Sequence, residues 1–376
     1  MEIAIAGAGI AGLTAAIALS RRGFSVCLYE RADMLADIGA GIQLAPNAMT
    51  VLQRLGLAEA LAGDAVEPRA LIIRDGPSGR ALTVIPLRAE ARRRYGAPYC
   101  VIHRADLQRI LSEAAEAEPK IRIRLGAEIK NVRQDGNEVT FAVGDKTLSA
   151  DLLIAADGIH SVIRTDTLAL PAPASPARYA WRTSIASDDL PAGIERDATG
   201  LWLAPDCHLV HYPVRAGRQI NLVLIAASDK AAPGELLRQL AAPACDLAGM
   251  QTGWIGWPLQ IIDPALPWVR GRIALIGDAA HAMLPTLAQG GAQAIEDAYV
   301  LADCLAAAPD RPAAALQRYE RRRKTRVIRI ANEAARNATI YGLGGLAATA
   351  RNAAIALLPG SMHLHRLDWL YRLPED

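Results

Sequence analysis

The sequence lacks several features that would assign it at once to a class of protein. Its five cysteines are far apart and odd in number, so they predict neither a disulfide framework nor a zinc site. Lys and Arg total 41 against 39 Asp and Glu, which excludes the basic excess typical of nucleic-acid binding. No GxSxG or HExxH motif occurs. We therefore expect a small-molecule partner, no nucleic acid, no metal, and a reducing cytoplasmic location.

A long uninterrupted hydrophobic run is also missing. The apolar stretch IAIAGAGIAGLTAAIAL (3–19) follows Glu2 and is broken by three glycines, so it predicts neither a signal peptide nor a membrane span. It instead predicts a strand at 3–6 and a helix over 11–22 that ends at Gly23. With a further strand at 25–30, this is a βαβ unit.

The glycines of this unit form the pattern GxGxxG, with Gly7, Gly9 and Gly12 between the strand and the helix. Such glycines allow a tight turn, a close approach by a pyrophosphate, and close packing of helix on strand. Glu30 follows Gly12 by eighteen residues, where a carboxylate can accept hydrogen bonds from ribose hydroxyls. The pattern predicts a dinucleotide site and permits either NAD or FAD.

A chain of 376 residues favours one large composite domain or two intimate ones. We expect a hairpin over 71–85, an amphipathic helix over 105–118, and a small three-stranded meander within 121–156. Residues 171–267 alternate between apolar and polar side chains, which predicts a largely antiparallel sheet with one buried face.

The last third of the chain returns to helix and strand. A strand is expected at 272–276 and a helix over 292–307, and the chain from 315 onward is mostly helical in composition. The basic cluster RRRK (321–324) is expected on a solvated helix face.

Four ordered motifs separate FAD from NAD and carry a family resemblance. They are GAGIQLAPNA (39–48), HRADLQRIL (103–111), DLLIAADGIHSVIR (151–164) and GDAAHAMLPTLAQGGAQAIEDA (277–298). Together they resemble the FAD-dependent aromatic hydroxylases, the single-component class A flavoprotein monooxygenases. The branch is that of salicylate hydroxylase, 3-hydroxybenzoate 6-hydroxylase and 6-hydroxynicotinate 3-monooxygenase, and the resemblance covers essentially the whole chain.

The resemblance implies an α/β (α+β) fold with a Rossmann-like FAD-binding domain, a three-stranded meander, an antiparallel substrate domain and C-terminal helices. The expected FAD-binding domain is discontinuous and comprises 1–75, 100–170 and 269–345. The expected substrate domain comprises 76–99 and 171–268, and 346–376 form a C-terminal helical segment.

The implied activity is hydroxylation of a small hydroxylated aromatic or heteroaromatic acid through a flavin C4a-hydroperoxide, with decarboxylation possible in principle. FAD is the implied cofactor, NADH or NADPH the reductant and O2 the co-substrate. The protein is expected to be a monomer or homodimer with no membrane partner. A flavin oxidase or dehydrogenase that inserts no oxygen is the alternative enzyme, and a flavin-binding sensor is the non-catalytic alternative.

Several residues are implied to bind FAD, because they match positions of the family's motifs. They are Gly7, Gly9, Ala11, Gly12, Glu30, Arg31, Gln43, Arg104, Asp157, Asp278, Pro285, Gly290, Gly291 and Ala292. For Asp157, a helix N-cap is an equally ordinary role.

The loop before the helix at 292–307 is expected to present bare backbone N–H groups to the pyrimidine edge of the flavin. Glycine suits Gly290 because a Cβ would hold the ring away, and a helix N-terminus stabilises negative charge. Ala282, Ala288 and the pair Gly291-Ala292 depart from the family's commonest wording in this loop.

The stretch HLVHYPVR (208–215) is predicted to be a strand with His208 and Tyr212 on one face and His211 on the other. His208 is the expected base for a substrate phenol, with a pKa near neutrality, and Tyr212 its catalytic neighbour. Gln289 is expected to orient substrate, and His211 and Arg182 are further candidates for substrate contact. His281 is expected to support the loop.

Overall fold

A parallel sheet forms the centre of the computed structural model, which describes residues 1–35, 40–227, 232–250 and 253–374. Within that part of the chain its strand order is β17-β18-β11-β1-β2-β7, with only β17 antiparallel. The strands are β1 (Glu2–Ala6), β2 (Ser25–Tyr29), β7 (Ile121–Arg124), β11 (Leu152–Ala155), β17 (Val269–Arg270) and β18 (Ile273–Leu275).

The helices cover this sheet and extend beyond it. They are α1 (Ile10–Ser20), α2 (Pro46–Arg54), α3 (Ala58–Ala62), α4 (Arg88–Tyr95), α5 (Arg104–Glu116), α6 (Pro233–Leu237), α7 (Asp278–His281), α8 (Gly290–Ala307), α9 (Pro312–Tyr341), α10 (Gly345–Ala356), α11 (Gly360–His365) and α12 (Asp368–Tyr371). None of those in the described residues combines the length and hydrophobicity that a membrane crossing requires.

The expected meander is present but shorter than the stretch 121–156. Its strands are β8 (Ile129–Asp135), β9 (Glu138–Val143) and β10 (Lys146–Ala150). The flanking strands β7 and β11 belong to the parallel sheet instead. The reason for β11 is its apolar composition: every residue of it is buried, which suits a central parallel strand and not an exposed meander.

The second large sheet has the order β16-β12-β15-β14-β13-β4-β5 among the described residues. Its strands are β4 (Ala70–Asp75), β5 (Ala81–Pro86), β12 (Tyr179–Ala186), β13 (Thr199–Ala204), β14 (Cys207–Val214), β15 (Gln219–Ala226) and β16 (Ile255–Pro258), and a small pair is formed by β3 (Gly41–Leu44) and β6 (Cys100–His103). All of the large sheet's neighbours are antiparallel except β4 and β13.

The domain boundary expected after residue 75 would divide two strands that are paired in the structure, β4 and β5. The strand β4 pairs with both β5 and β13, so the hairpin over 71–85 lies wholly in the large sheet. A hairpin buries its apolar face as one unit, which is why a boundary inside it is not physical. At the other end of the chain, α10 and α11 pack on β5.

The two faces of the large sheet pack against different parts of the chain. On the inner face, Val223 and Ile225 pack with Leu284 of the loop before α8 and with Ala334 and Ala338 of α9. The outer face is covered by α6 and a 3-10 turn (Ala244–Gly249), through a separate cluster that includes Leu209 and Leu222. The inner face therefore meets the loop between β18 and α8.

The turn between β1 and α1 yields a prediction about stability. A Cβ on Gly12 would lie 1.9 Å from the carbonyl oxygen of Gly7, whereas one on Gly9 would meet no atom within 4 Å. Gly12→Ala is expected to lower the free energy of unfolding by about 1–3 kcal/mol, as overpacking does. Gly9→Ala should change it by less than about 1 kcal/mol, since Gly9 has ordinary extended geometry. Urea denaturation of the two variants measures both values, and equal losses would contradict this account of the turn.

Candidate active site

The glycine turn leaves open space at one position only. Gly7 has φ +98° and lies against Ala156, where a Cβ would be 2.5 Å from the carbonyl oxygen, so the turn is closed on the side of β11. Above Gly9 the space is empty. Glu30 accepts a hydrogen bond from the backbone N–H of Ala8 (2.8 Å), which places its carboxylate at the mouth of this turn.

The β3–β6 pair brings the next motif beside the turn. The Tyr99 hydroxyl donates a hydrogen bond to the side-chain oxygen of Gln43. Arg104 begins α5, is exposed, and its backbone N–H binds the carbonyl of Ala40 (3.1 Å). Arg31 is exposed as well. Gly39, the first residue of the quoted motif at 39–48, lies outside the described residues.

Asp157 and Asp278 follow the ends of two parallel strands. Asp157 comes directly after β11. Burial raises the pKa of its carboxyl, and the hydrogen bond from Ser161, which lowers it, offsets only part of that effect. One of its buried oxygens has no hydrogen-bond partner in the described chain. Asp278 follows β18 and is exposed at the start of α7.

The loop between α7 and α8 holds an alanine in left-handed geometry. Ala288 has φ +53° and ψ +38°, after a 3-10 turn at Pro285–Leu287. The hydroxyl of Thr286 donates a hydrogen bond to the carbonyl of Ala334 (2.6 Å), which ties the loop to α9. Ala288, which stands where the family most often has glycine, therefore still adopts a left-handed conformation. Its Cβ makes this conformation less favourable than it would be for glycine.

Gly290 and Gly291 have different surroundings at the start of α8. A Cβ on Gly290 would have only a carboxylate oxygen of Asp278 nearby, at 4.0 Å. A Cβ on Gly291 would lie 2.4 Å from the Ile42 side chain, so this glycine allows β3 to pack on α8. Ala292 is buried in the core, and Ala11 packs beside Gly277. Gly290 is therefore the position that leaves room for a ligand.

A buried charge network lies directly behind this loop. Arg323 of α9 is 2% exposed and donates to Glu296 and to Asp297 (2.8 Å) of α8, both of which are fully buried. Arg326 also binds Glu296 (3.0 Å). Burial alone would raise the pKa of both carboxyls, but the charges of Arg323, of Arg326 and of His281 outweigh it and lower both pKa values.

The network corrects the expectation that RRRK (321–324) lies on a solvated face. Arg323 is its most buried residue, because one side of the long helix α9 packs on α8 and needs partners for two acids. The only signal in the sequence was an acid pair, Glu296-Asp297, inside an otherwise apolar helix. Nothing local in the sequence connects this acid pair with the basic cluster.

The same network holds the third motif. Asp297 accepts hydrogen bonds from His281 (2.5 Å) and from the backbone N–H of Gly277 (3.0 Å). The side-chain oxygen of Gln289 accepts from Asn47 (3.0 Å) and Gln293 (2.9 Å). Gln289 is only 1% exposed, so its side chain lies in this interior network and differs from the expected substrate-orienting group. The amide nitrogen of Gln289 is buried without a hydrogen-bond partner in the described chain, so only the oxygen of this side chain is satisfied by the network.

His208 lies on the inner face of the large sheet, opposite the loop. Its ring contacts Tyr341, the last residue of α9, with ring centroids 5.3 Å apart. Burial, assisted by the charge of Arg178, lowers the pKa of His208 to about 3. This differs from the expected near-neutral pKa, because the imidazole is 2% exposed and its charged form loses its hydration.

Tyr212 occupies the same face as His208 and touches β3. A Cβ on Gly41 would lie 2.4 Å from the Tyr212 ring, and the backbone N–H of Gly41 binds the Asn221 side chain (2.7 Å). Asn221 faces Tyr212 across the β14–β15 pair. The sequence does not predict a role for Asn221 or Tyr341, because no local pattern around either residue indicates which distant residues it contacts.

His211 lies on the outer face, over Gly200 and opposite Leu222 of β15. A Cβ on Gly200 would be 1.9 Å from its ring. Both ring nitrogens are buried without a hydrogen-bond partner in the described chain, and burial lowers its pKa to about 3. The structure thus separates His211 from His208, Tyr212 and the loop.

The open spaces of the glycine turn and the α8 N-terminus fit a dinucleotide with an attached flavin ring. Gly9 and Gly290 admit close approach, the carboxylate of Glu30 lies at the mouth of the glycine turn, and the first N–H groups of α8 have no partner within the helix. Residues 1–205 and 264–334 match the family described as FAD binding domain. The chain belongs to this FAD-binding family.

The relatives extend the match beyond the FAD-binding segments. 3-Hydroxybenzoate 6-hydroxylase 1 of Aquipseudomonas alcaligenes is 34% identical over 98% of this chain and 97% of its own. 6-Hydroxynicotinate 3-monooxygenase of Pseudomonas fluorescens is 33% identical over 81% and 82%. The crystal structure of Klebsiella pneumoniae HpxO complexed with FAD and uric acid has a TM-score of 0.85 and 28% identity, covering 98% of this chain and 95% of that chain.

Three expectations are confirmed by this membership. They are the resemblance to FAD-dependent aromatic hydroxylases, the α/β fold class, and FAD as the cofactor. The chain is an FAD-dependent enzyme of the flavoprotein monooxygenase class, for which NAD(P)H is the typical reductant.

The charge network generates a prediction about stability. Arg323→Met leaves Glu296 and Asp297 short of a buried counter-charge, so the free energy of unfolding should fall by about 3–5 kcal/mol. Arg321→Met, at an exposed position of the same helix, should change it by less than about 0.5 kcal/mol. Urea denaturation at pH 7 compares them. An Arg323→Met protein as stable as the parent would show that the network contributes nothing net.

The same network predicts a dependence of stability on pH. The pKa values of Glu296 and Asp297 are lower in the folded protein than in the unfolded chain. Their contribution is therefore complete above the unfolded values of about 4, and it is lost as the pH falls through the folded ones. The midpoint temperature of thermal unfolding should therefore decrease as the pH is lowered below about 4 in the parent protein. It should decrease less steeply in a Glu296→Gln variant. Parallel acid profiles for the two proteins would contradict this.

Gly290 provides a test of the FAD fit that is separate from stability. If the flavin edge lies at Gly290, Gly290→Val should weaken FAD binding by at least about tenfold and change the flavin absorbance spectrum, because the valine side chain would fill the open space at the start of α8. Gly63→Val is the matched control, since Gly63 also has open space and an ordinary negative φ. FAD titration of the apoprotein measures both, and equal affinities would refute the role of Gly290.

Proposed function

We propose that this enzyme hydroxylates a small hydroxylated aromatic or heteroaromatic acid, with NAD(P)H as reductant and O2 as oxygen donor. The observation that carries the proposal is the shared inner face of the large sheet. It places His208 and Tyr212, both nearly inaccessible to solvent, on the side that packs against the loop before α8. Relatives named for hydroxybenzoate and hydroxynicotinate oxygenation support this substrate class.

When bound, FAD would supply the redox chemistry by which two electrons from NAD(P)H reduce O2, so that one oxygen atom enters the aromatic ring and the other leaves as water. Glu30, Gln43, Arg104, Asp157 and Asp278 would hold its ribose, pyrophosphate and ribityl groups, as they line the ends of β2, β3, β6, β11 and β18. Gly290 and its neighbours would receive the ring edge. Arg31 would lie near the adenosine and Pro285 beside the ring.

His208 prepares the substrate in this proposal. At pH 7 its imidazole is neutral, since burial lowers its pKa to about 3, and a neutral imidazole can accept the proton of a substrate phenol. Removal of that proton raises the electron density of the ring carbons ortho and para to it. Tyr212 would hold the ring in place from the same strand, and Gln289 would position the loop from the interior.

The apolar inner face serves the chemistry by excluding water. Val223, Ile225 and Leu284 form a dry cluster beside His208. Exclusion of water strengthens each hydrogen bond to the substrate and limits loss of oxygen as peroxide. Oxygen insertion at the carbon that carries the carboxylate would release CO2, whereas insertion at another carbon would retain it.

A substrate panel tests the proposal directly. The purified protein should be yellow, and one or more hydroxybenzoates or hydroxypyridine carboxylates should stimulate NAD(P)H oxidation. With ¹⁸O₂ the product should gain one labelled oxygen atom. Consumption of substrate without incorporated label would instead indicate a flavin oxidase or dehydrogenase, and absence of any stimulation would reject the substrate class.

His208→Ala tests the assigned base. It should retain FAD but lower the hydroxylation kcat by about 10²–10⁴-fold, the usual worth of a positioned acid or base. His211→Ala is the control, because His211 lies on the outer face, and its kcat per bound FAD should stay within about threefold of the parent. A large loss in His211→Ala with none in His208→Ala would reverse the assignment.

The low pKa of His208 also predicts the pH profile. The free imidazole loses its ability to accept a proton only as the pH falls towards about 3. The acidic limb of kcat/KM, which reports the free enzyme, should therefore lie below about pH 5 and not near 6.5. A limb near 6.5 that disappears in His208→Ala would show that His208 titrates as an exposed histidine does.

A further inference from the structure

Arg182 shares the inner face with the assigned base. In the β12–β15 pair Arg182 lies opposite Val223, and in the β14–β15 pair Val223 lies opposite Val210. Because side chains alternate along a strand, Arg182 points to the same side of the sheet as His208 and Tyr212. It is the one arginine of β12.

The guanidinium of Arg182 is held in place but has no anion. It stacks over the Trp257 ring, with its central carbon 4.7 Å from the ring centroid. Its Nε atom is buried and has no hydrogen-bond partner, and no ion pair joins Arg182 to any acid in the described residues. The charged groups that influence it are Tyr212, Arg104 and Asp278, so it faces the region between the sheet and the FAD site.

Arg182 is partly buried, and the loss of hydration around its unpaired Nε disfavours the charged guanidinium and lowers its pKa. The positive charge of Arg104 nearby adds to this effect. Asp278 does not relieve it, since it is exposed and forms no ion pair with Arg182 in the described chain. The site is therefore complete only when a negative group enters it.

The fork of the guanidinium matches a carboxylate. Trp257 covers one face of the group, which leaves its N–H edge free for two parallel hydrogen bonds to one carboxylate. The strands of a sheet are about 4.8 Å apart, so Arg182, two strands from His208, has its Cα about 10–12 Å from that of His208. The two side chains therefore lie on one face of the sheet, with only β15 between their strands, so that one aromatic acid could contact both.

We propose that Arg182 binds the carboxylate of the aromatic substrate, with the substrate's phenolic oxygen at His208, and so selects anionic substrates over neutral analogues. This rests on the proposed function and adds a specificity-determining residue to it. The arrangement aligns the ring along the β12–β14 direction. It also explains why a cation is left unpaired in a dry sheet face, since the missing charge arrives with the substrate.

The test compares an aromatic acid with its amide in four proteins, the parent enzyme and three variants. The substrate is the hydroxylated acid that best stimulates the parent enzyme, and the probe is the corresponding carboxamide, which is neutral and nearly isosteric. Kd is measured from the flavin absorbance change, and KM and kcat from NAD(P)H oxidation coupled to product mass. The variants are Arg182→Gln and Arg182→Lys, with Arg218→Gln, an exposed arginine of the β14–β15 turn, as control.

In the parent enzyme, Kd for the acid should be about 10²-fold lower than for the amide. Arg182→Gln should raise Kd and KM for the acid by about 10²-fold and leave those for the amide within about threefold, with a smaller change in kcat. Arg182→Lys should recover part of the affinity, as a point charge without the fork. Arg218→Gln should match the parent.

Other outcomes overturn the inference without touching the proposed function. Equal affinity of the parent for acid and amide would do so, even if no Arg182 variant folds. A Gln variant that loses both ligands equally, or that releases FAD, would place Arg182 on the cofactor. If no acid or amide stimulates the parent, the proposed function itself fails.

Discussion

Two acids of α8 and two arginines of α9 meet in the protein interior, and this pairing constrains the rest of the site. Water cannot screen Glu296, Asp297 and Arg323, so each charge must find its partner at hydrogen-bond distance. The relative position of α8 and α9 is thereby fixed along and around their axes. Asp297 then uses its second oxygen for His281 and for the backbone of Gly277, so the third motif is anchored to the same point.

The long helix α9 passes this constraint on to the substrate side. Its residues Ala334 and Ala338 pack on the inner face of the large sheet, and its last residue, Tyr341, contacts His208. The loop before α8 is attached to the same helix through Thr286. Both walls of the site, the sheet with the base and the loop with the open glycine, are thus positioned from one helix. One helix thereby sets the position of the loop before α8 relative to the inner face of the large sheet.

The parts of the fold that the sequence predicts are those with local causes. The GxGxxG turn, the βαβ unit and the alternation of β14 depend on neighbours within a few residues, and they appear as expected. The burial of Arg323, the interior position of Gln289 and the low pKa of His208 depend on partners from other elements. Composition describes RRRK as a solvated cluster, and only the packing of α9 on α8 shows otherwise.

The inner face of the large sheet carries both a neutral histidine, His208, and a cation, Arg182, that forms no ion pair in the described residues. His208 resists protonation because its surroundings are dry and lie near the positive charge of Arg178, while Arg182 holds an unmatched positive charge on the same face. A neutral aromatic ligand would leave both conditions unchanged. An acid would neutralise Arg182, and the phenolate formed on proton transfer would lie beside the new imidazolium. Binding and activation would then depend on two side chains of one sheet face, with Arg182 as the partner of the carboxylate and His208 as the acceptor at the phenolic oxygen.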